Sequence, residues 1–257
     1  MFQSLKLKTG QLLAGYLTNQ TSNYVPFSTN AVPVLEQWLE PGDVLLVEGN
    51  TRISTVIKYL TQSTWSHAAF FAGPSTRQYT PDGEACPLVE AELGLGVVAS
   101  PLSKYRNLNT RILRPVNLTQ DHQEQVVATM VSSLGKQYDL KHILDLARYL
   151  FPLPVPARFR RRMIAFGSGD PSRAICSTLI AETFQSIRYP ILPTVEKKTV
   201  ISPYSYQQRE ILHIRDHTLF TPRDFDLSPY FRVIKPTIEC GFDYSALELT
   251  SDPISSD

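Results

Sequence analysis

Apolar positions cluster in two different rhythms along the chain. Residues 1 to about 35 form a polar, weakly periodic arm ending near Pro33. A turn signal at Pro41-Gly42-Asp43 leads into Val44-Leu45-Leu46-Val47, a short continuous apolar run of the kind a buried strand shows. Ile53, Val56, Ile57 and Leu60 then recur at helical spacing, and Asn50 or Thr51 can cap that helix. Ser66-His67-Ala68-Ala69-Phe70-Phe71-Ala72 reads as a second buried strand, stopped by Gly73-Pro74. Residues 88–92 and 96–99 read as a strand pair turning at Gly94, and 111–115 as one more strand.

The second half changes to helical spacing. Thr119 or Asp121 can cap a helix to about residue 134, with Gly135 ending it. Residues 139–150 carry Ile143, Leu144, Ala147 and Leu150 along one face, and three prolines break the pattern over 151–156. A helix over 176–187 places Leu179, Ile180, Phe184 and Ile187 on its buried side. From Pro190 to about Pro236 the chain looks irregular, and the acidic stretch after Asp243 is expected to be partly disordered. Strands gathered in one half and helices in the other predict an α+β domain with an antiparallel sheet, not a doubly wound one. The expected organisation is an extension over 1–35, a catalytic domain over 36–235 and a tail over 236–257.

Composition narrows the function classes. At 257 residues, 42% hydrophobic and 19% charged, the chain is an ordinary globular protein with material for a core. A net charge of +1 gives no general attraction for nucleic acid, so none is expected as partner. Cys86, Cys176 and Cys240 include no pair at metal-binding spacing; with no metal or other cofactor called for, the odd count suggests a reducing compartment. The first residues show neither an apolar leader core nor a lipidation cysteine, and no stretch is apolar for the length of a membrane span. A cytoplasmic location is the expectation.

Three positions carry candidate chemistry. Cys176 opens its helix, where unpaired N–H groups and the positive end of the helix dipole stabilise a thiolate and can hold an oxyanion. A buried structural cysteine is the competing reading. His67 stands at the mouth of an apolar strand, a core histidine bonded to backbone being the alternative; His122, His142, His213 and His217 lie on polar helix faces or beside a loop. Glu90 and Glu92 share one strand face and either could orient the imidazole; a solvated face is the alternative. Together these are the nucleophile, base and orienter of thiol-based acyl transfer.

Pro41-Gly42-Asp43-Val44-Leu45, Ser66-His67-Ala68, Val89-Glu90-Ala91 with Gly96-Val97 and Pro101-Leu102, Gly135-Lys136-Gln137-Tyr138-Asp139 and Ile175-Cys176-Ser177-Thr178-Leu179 follow in that order. The later Thr221-Pro222-Arg223-Asp224-Phe225 with Ser228-Pro229 extends the match. The set resembles the permuted papain-like amidases of the YaeF/YiiX group, relatives of the NlpC-type hydrolases and the lecithin:retinol acyltransferase-like proteins. The resemblance implies a circularly permuted papain-like (NlpC-type) fold, an antiparallel sheet packed against helices with the nucleophile helix late in the chain. It also implies Cys176 as nucleophile, His67 as base and Glu90, rather than Glu92, as orienting acid. Beyond the Cys176 backbone N–H, Tyr138 is a candidate oxyanion donor.

The expected activity is therefore a thiol hydrolase (amidase or peptidase) acting through a thioester on a peptide, amide or acyl-bearing small substrate. An acyltransferase on lipid or acylated substrates is the alternative, and a non-catalytic binding protein on the same fold a third. The apolar and basic stretch 150–162, within an insertion over 149–169, could touch an anionic membrane surface; a proline-stiffened loop with solvated arginines is the plainer reading.

Overall fold

The computed structural model describes residues 15, 19, 20, 31–137, 175–202, 205–243 and 245. The predicted helix over 139–150, the insertion over 149–169, Tyr138, His142, most of the N-terminal arm and nearly all of the acidic tail lie outside them.

β1 (Val44–Glu48) is the continuous apolar run, and it lies inside a six-stranded sheet in which every pairing is antiparallel. With β2 (His67–Phe71), β3 (Leu88–Glu92), β4 (Gly96–Ser100), β5 (Asn109–Pro115) and β8 (Phe231–Ile234), the order is β4-β3-β2-β1-β5-β8. All five residues of β1 are buried because both sheet faces are covered, which is why alternation is absent from its sequence.

On one face Val44, Leu46, Ala68 and Phe70 meet α3 (Gln120–Ser132) and α4 (Ile175–Ser186) through Val126, Met130, Leu179, Ile180 and Phe184. On the other, Leu45, Val47, Ala69 and Phe71 meet Leu35 of α1 (Val32–Trp38), Leu39 just after it, and Leu102 and Tyr105 of a one-turn 3-10 helix, Leu102–Tyr105. The architecture is the predicted α+β one.

Local signals act where the sequence placed them. Thr51 caps α2 (Arg52–Thr61), its hydroxyl accepting the Ser54 N–H at 3.2 Å, and Thr119 caps α3. Residues 190–236 are a correction. They contain a two-stranded ribbon, β6 (Thr194–Ser202) with β7 (Ser205–His213), then α5 (Pro222–Asp226), and β8 at the sheet's edge. Among the described residues the ribbon pairs only with itself, and its sequence shows no clean alternation, so nothing marked it as paired strand. Pro236–Glu239, the start of the expected tail, forms a short helix, α6. Phe231 stands edge-on to Phe184 at 5.2 Å, Tyr189 at 5.8 Å and Phe225 at 5.6 Å, tying β8 to α4.

The β4 edge is closed by the chain that leaves α3. The Val97 N–H donates to the Lys136 carbonyl and the Gly135 N–H to the Val97 carbonyl, both at 2.9 Å. Gly96 permits this approach: its φ is +84°, and a Cβ there would lie 2.3 Å from the Lys136 carbonyl oxygen.

Candidate active site

β2 and β3 pair only at Phe70↔Val89 and Phe71↔Leu88. Toward the start of β2 the ladder has ended, so His67 and Ala68 have no partner on β3. His67 follows Ser66, whose backbone N–H reaches the Val47 carbonyl at 3.1 Å and whose hydroxyl accepts the Gly49 N–H at 2.9 Å. The residue before the imidazole is therefore fixed by the neighbouring strand and the turn after it.

α4 packs on β2 and β3 with Cys176 in its first turn. Beside the Cys176 sulfur stand the Ser177 hydroxyl, at 3.9 Å, the His67 ring and the Ala68 backbone N–H. His67 Nε2 lies 2.5 Å from Glu90 Oε2, which leaves Nδ1 as the ring nitrogen for the thiol. The three residues expected from the sequence come together, each from a different element.

Glu90 and Glu92, equivalent by alternation, are separated by depth. The Glu90 side chain is 0% exposed and faces His67; Glu92, 29% exposed, bonds Ser100 Oγ at 3.4 Å and Lys104 Nζ. Glu90 has further donors that the sequence reading did not single out. Tyr105 Oη donates to Oε2 at 2.5 Å and Lys104 Nζ to Oε1 at 2.7 Å. Both come from the 3-10 turn after Pro101-Leu102, and the only hint in the sequence was that this dipeptide belongs to the ordered motif set.

The electrostatics follow from this arrangement. Burial disfavours the Cys176 thiolate, but the His67 cation, its hydrogen bond, the Ala68 N–H and the Ser177 hydroxyl outweigh it and lower the thiol below its ordinary range. Burial likewise works against the imidazolium. The Cys176 charge and hydrogen bond, then those of Glu90, overcome it and push His67 up to about 10. Burial would raise Glu90, yet His67 and then Lys104 hold its carboxyl far below the usual carboxylate range. Each of the three groups thus favours the charged form of its neighbour. By contrast, burial raises the Cys86 thiol, and Cys240 is exposed.

A helix-borne thiol beside a strand-borne imidazole on a buried carboxylate, with the thiol last along the chain, is a papain-like arrangement of permuted order. Residues 38–151 match the model of the family described as permuted papain-like amidase enzyme, YaeF/YiiX, C92 family, which shows the resemblance read in the sequence. That span contains His67 and Glu90 and ends before Cys176.

No curated protein matches the chain in sequence. Among solved structures, metalloprotein YiiX from Escherichia coli O157:H7 superposes with a TM-score of 0.42 at 13% identity, over 76% of this chain and 96% of that one. Among the described residues no group of three or more His, Cys, Asp and Glu side chains could hold a metal ion. No helix among the described residues is long and apolar enough to cross a membrane.

Proposed function

We propose that this protein is a cysteine amidase in which Cys176, His67 and Glu90 act as nucleophile, base and orienting acid. The Cys176 thiolate adds to an amide carbonyl, and the oxyanion is held by N–H groups of the first turn of α4, beginning with that of Cys176. Protonated His67 gives its proton to the leaving amine. Water then attacks the thioester, His67 takes up the proton of that water, and the acid product leaves with the thiolate restored.

The observation that carries the reading is the chain of groups from the Cys176 thiol past the His67 ring to Glu90, the ring 2.5 Å from the carboxylate, with the thiol lowered and the imidazole raised. A structural cysteine would have no use for such a chain. The substrate class is a peptide, amide or acyl-bearing small molecule. A cytoplasmic setting suits three free thiols.

The test is hydrolysis of a panel of N-acyl amides and short peptides by the wild type and by Cys176→Ala, with the covalent thioester sought by intact-protein mass after rapid acid quench. Loss of both turnover and adduct in Cys176→Ala is expected; full turnover without the thiol would overturn the reading. Acyl transfer shares the same thioester, and the apolar, basic stretch 150–162 is what favours it. Added amine acceptors separate the two, since a transferase forms the new amide faster than the free acid.

A further inference from the structure

The carboxylate of Glu90 is surrounded more completely than orienting one imidazole requires. Two donors, His67 Nε2 and Tyr105 Oη, meet on Oε2 at 2.5 Å each, and Lys104 Nζ holds Oε1 at 2.7 Å. Three donors on two oxygens fix both the position and the plane of the carboxylate.

The turn that supplies two of these donors is itself anchored. Glu84 accepts the Ser103 N–H at 3.3 Å and the Ser103 hydroxyl at 2.7 Å, and Leu102 and Tyr105 are buried in the core beneath the sheet. Lys104 bridges outward to Glu92, so its charge is shared between a buried and a half-buried carboxylate. The Tyr105 ring lies 6.2 Å from that of His67 at a 39° tilt, closing the side of the imidazole that faces the turn.

We propose that Tyr105 and Lys104 are positioning residues for the thiol chemistry: they keep Glu90 ionised and aimed at His67, and Glu92 acts only through Lys104. The proposal rests on the assignment of Cys176 as nucleophile. A buried carboxylate with neither donor would gain a proton more readily, and a protonated Glu90 would no longer stabilise the imidazolium that holds the thiolate. The charged and titratable groups around Glu90 are His67 of β2, Cys176 of α4, Glu92 of β3, and Lys104 and Tyr105 of the turn. Removing a cation (Lys104) or the positive end of a hydroxyl dipole (Tyr105) raises the proton affinity of every member of this set. Both changes therefore move its acidic transition to higher pH.

The experiment is the pH profile of Cys176 alkylation by iodoacetamide, followed by peptide mapping, with exposed Cys240 of the same molecule as internal reference. It is run on the wild type, Tyr105→Phe, Lys104→Met and Lys104→Arg. The acidic limb is expected to move up by half a unit or more in Tyr105→Phe and Lys104→Met, a loss of roughly threefold or more in rate on that limb. Lys104→Arg should return most of the way to the wild-type limb. Superimposable profiles, or a uniform loss with an unmoved midpoint, would overturn the proposal. Lys104 is partly solvent-exposed, so Lys104→Met carries the test if Tyr105→Phe does not fold. If wild-type Cys176 titrates like Cys240, the thiol assignment itself fails and the positioning proposal falls with it. That outcome is read from the wild type before any variant is compared.

Discussion

His67 Nε2 lies 2.5 Å from Glu90 Oε2, across a gap of 23 residues and one strand, at the place where β2 and β3 have ceased to pair. An uninterrupted ladder would have tied the backbone at His67 to β3. Its early end gives the ring room to bridge between the carboxylate and the thiol. The contact leaves Nδ1 as the ring nitrogen for the thiol.

Removing the ring should reverse the order of thiol reactivity. In the wild type, Cys176 is expected to alkylate ahead of Cys240 at pH 7, with buried Cys86 last. In His67→Gln, burial is left as the leading influence on the Cys176 thiol and raises it. Its rate at pH 7 should fall by about tenfold or more and drop behind that of Cys240. Iodoacetamide labelling with peptide mapping reads this directly. A Cys176 that stayed ahead would show that the helix N-terminus alone supports the thiolate.

The ion pair also shapes stability against pH. His67 is raised from 6.5 to about 10, so its contribution is full below 6.5 and lost as pH rises to about 10. Cys176 is lowered from 9.0, so its contribution is present above 9 and lost as pH falls through the folded value. Between 6.5 and 9 the two slopes oppose, because the folded pair holds one proton and the unfolded pair also holds one. Melting temperature should therefore be nearly flat there as far as this pair is concerned, falling below 6.5 and above 9. In Cys176→Ala the thiol and its pull on His67 are both gone, so the falls below 6.5 and above 9 should both weaken. Calorimetry at half-unit intervals checks this; identical profiles for the two proteins would exclude a folded-state ion pair.

Arg114 offers a stability test away from the site. Its Nε and Nη2 hold the two oxygens of buried Asp43 at 3.0 and 2.9 Å, Nη2 reaches the Trp38 carbonyl at 2.6 Å and Nη1 reaches Glu40 at 2.5 Å. Arg114→Ala leaves a buried carboxylate without its cation and should cost about 3 kcal/mol in urea unfolding. Arg114→Lys should recover only part, since an ammonium cannot form the two-pronged contact. The ratio of Cys176 to Cys240 alkylation under native conditions should not change.

Gly96→Ala should be costly for a different reason. The new Cβ meets the backbone oxygen of Lys136, at a φ of +84° that side chains rarely adopt. A loss of roughly 1–3 kcal/mol is expected, with faster hydrogen exchange at the Val97 and Gly135 amides that close the β4 edge. Unchanged exchange at those two amides would show that the edge does not depend on this approach.

Much of this was legible because the main sheet and its helices use strong local signals. Val44-Leu45-Leu46-Val47, the Gly94 turn and the Thr119 cap each determine their own neighbourhood. Cys176, His67 and Glu90 could be read as a set because they occur in an order that matches a family, though each alone had a plainer explanation. Two kinds of information were not local. Glu90 and Glu92 lie on one face at i and i+2, and only the turn folding over that face gives one a buried place and leaves the other at the surface. Lys104 and Tyr105 carry no sign of their partner, since the carboxylate they hold lies on a strand two elements earlier. The residue 194–213 ribbon and β8 escaped because a two-stranded arm and a four-residue edge strand leave almost no periodic trace.

The inverted order has a consequence for how the protein is made. A ribosome releases β1 to β5, with His67, Glu90, Lys104 and Tyr105 aboard, long before Cys176 is polymerised. The sulfur obtains its imidazole and the Ala68 N–H only when α4 settles on β2, so a nascent chain carries an ordinary thiol. The groups that lower the thiol arrive only with completion of the fold.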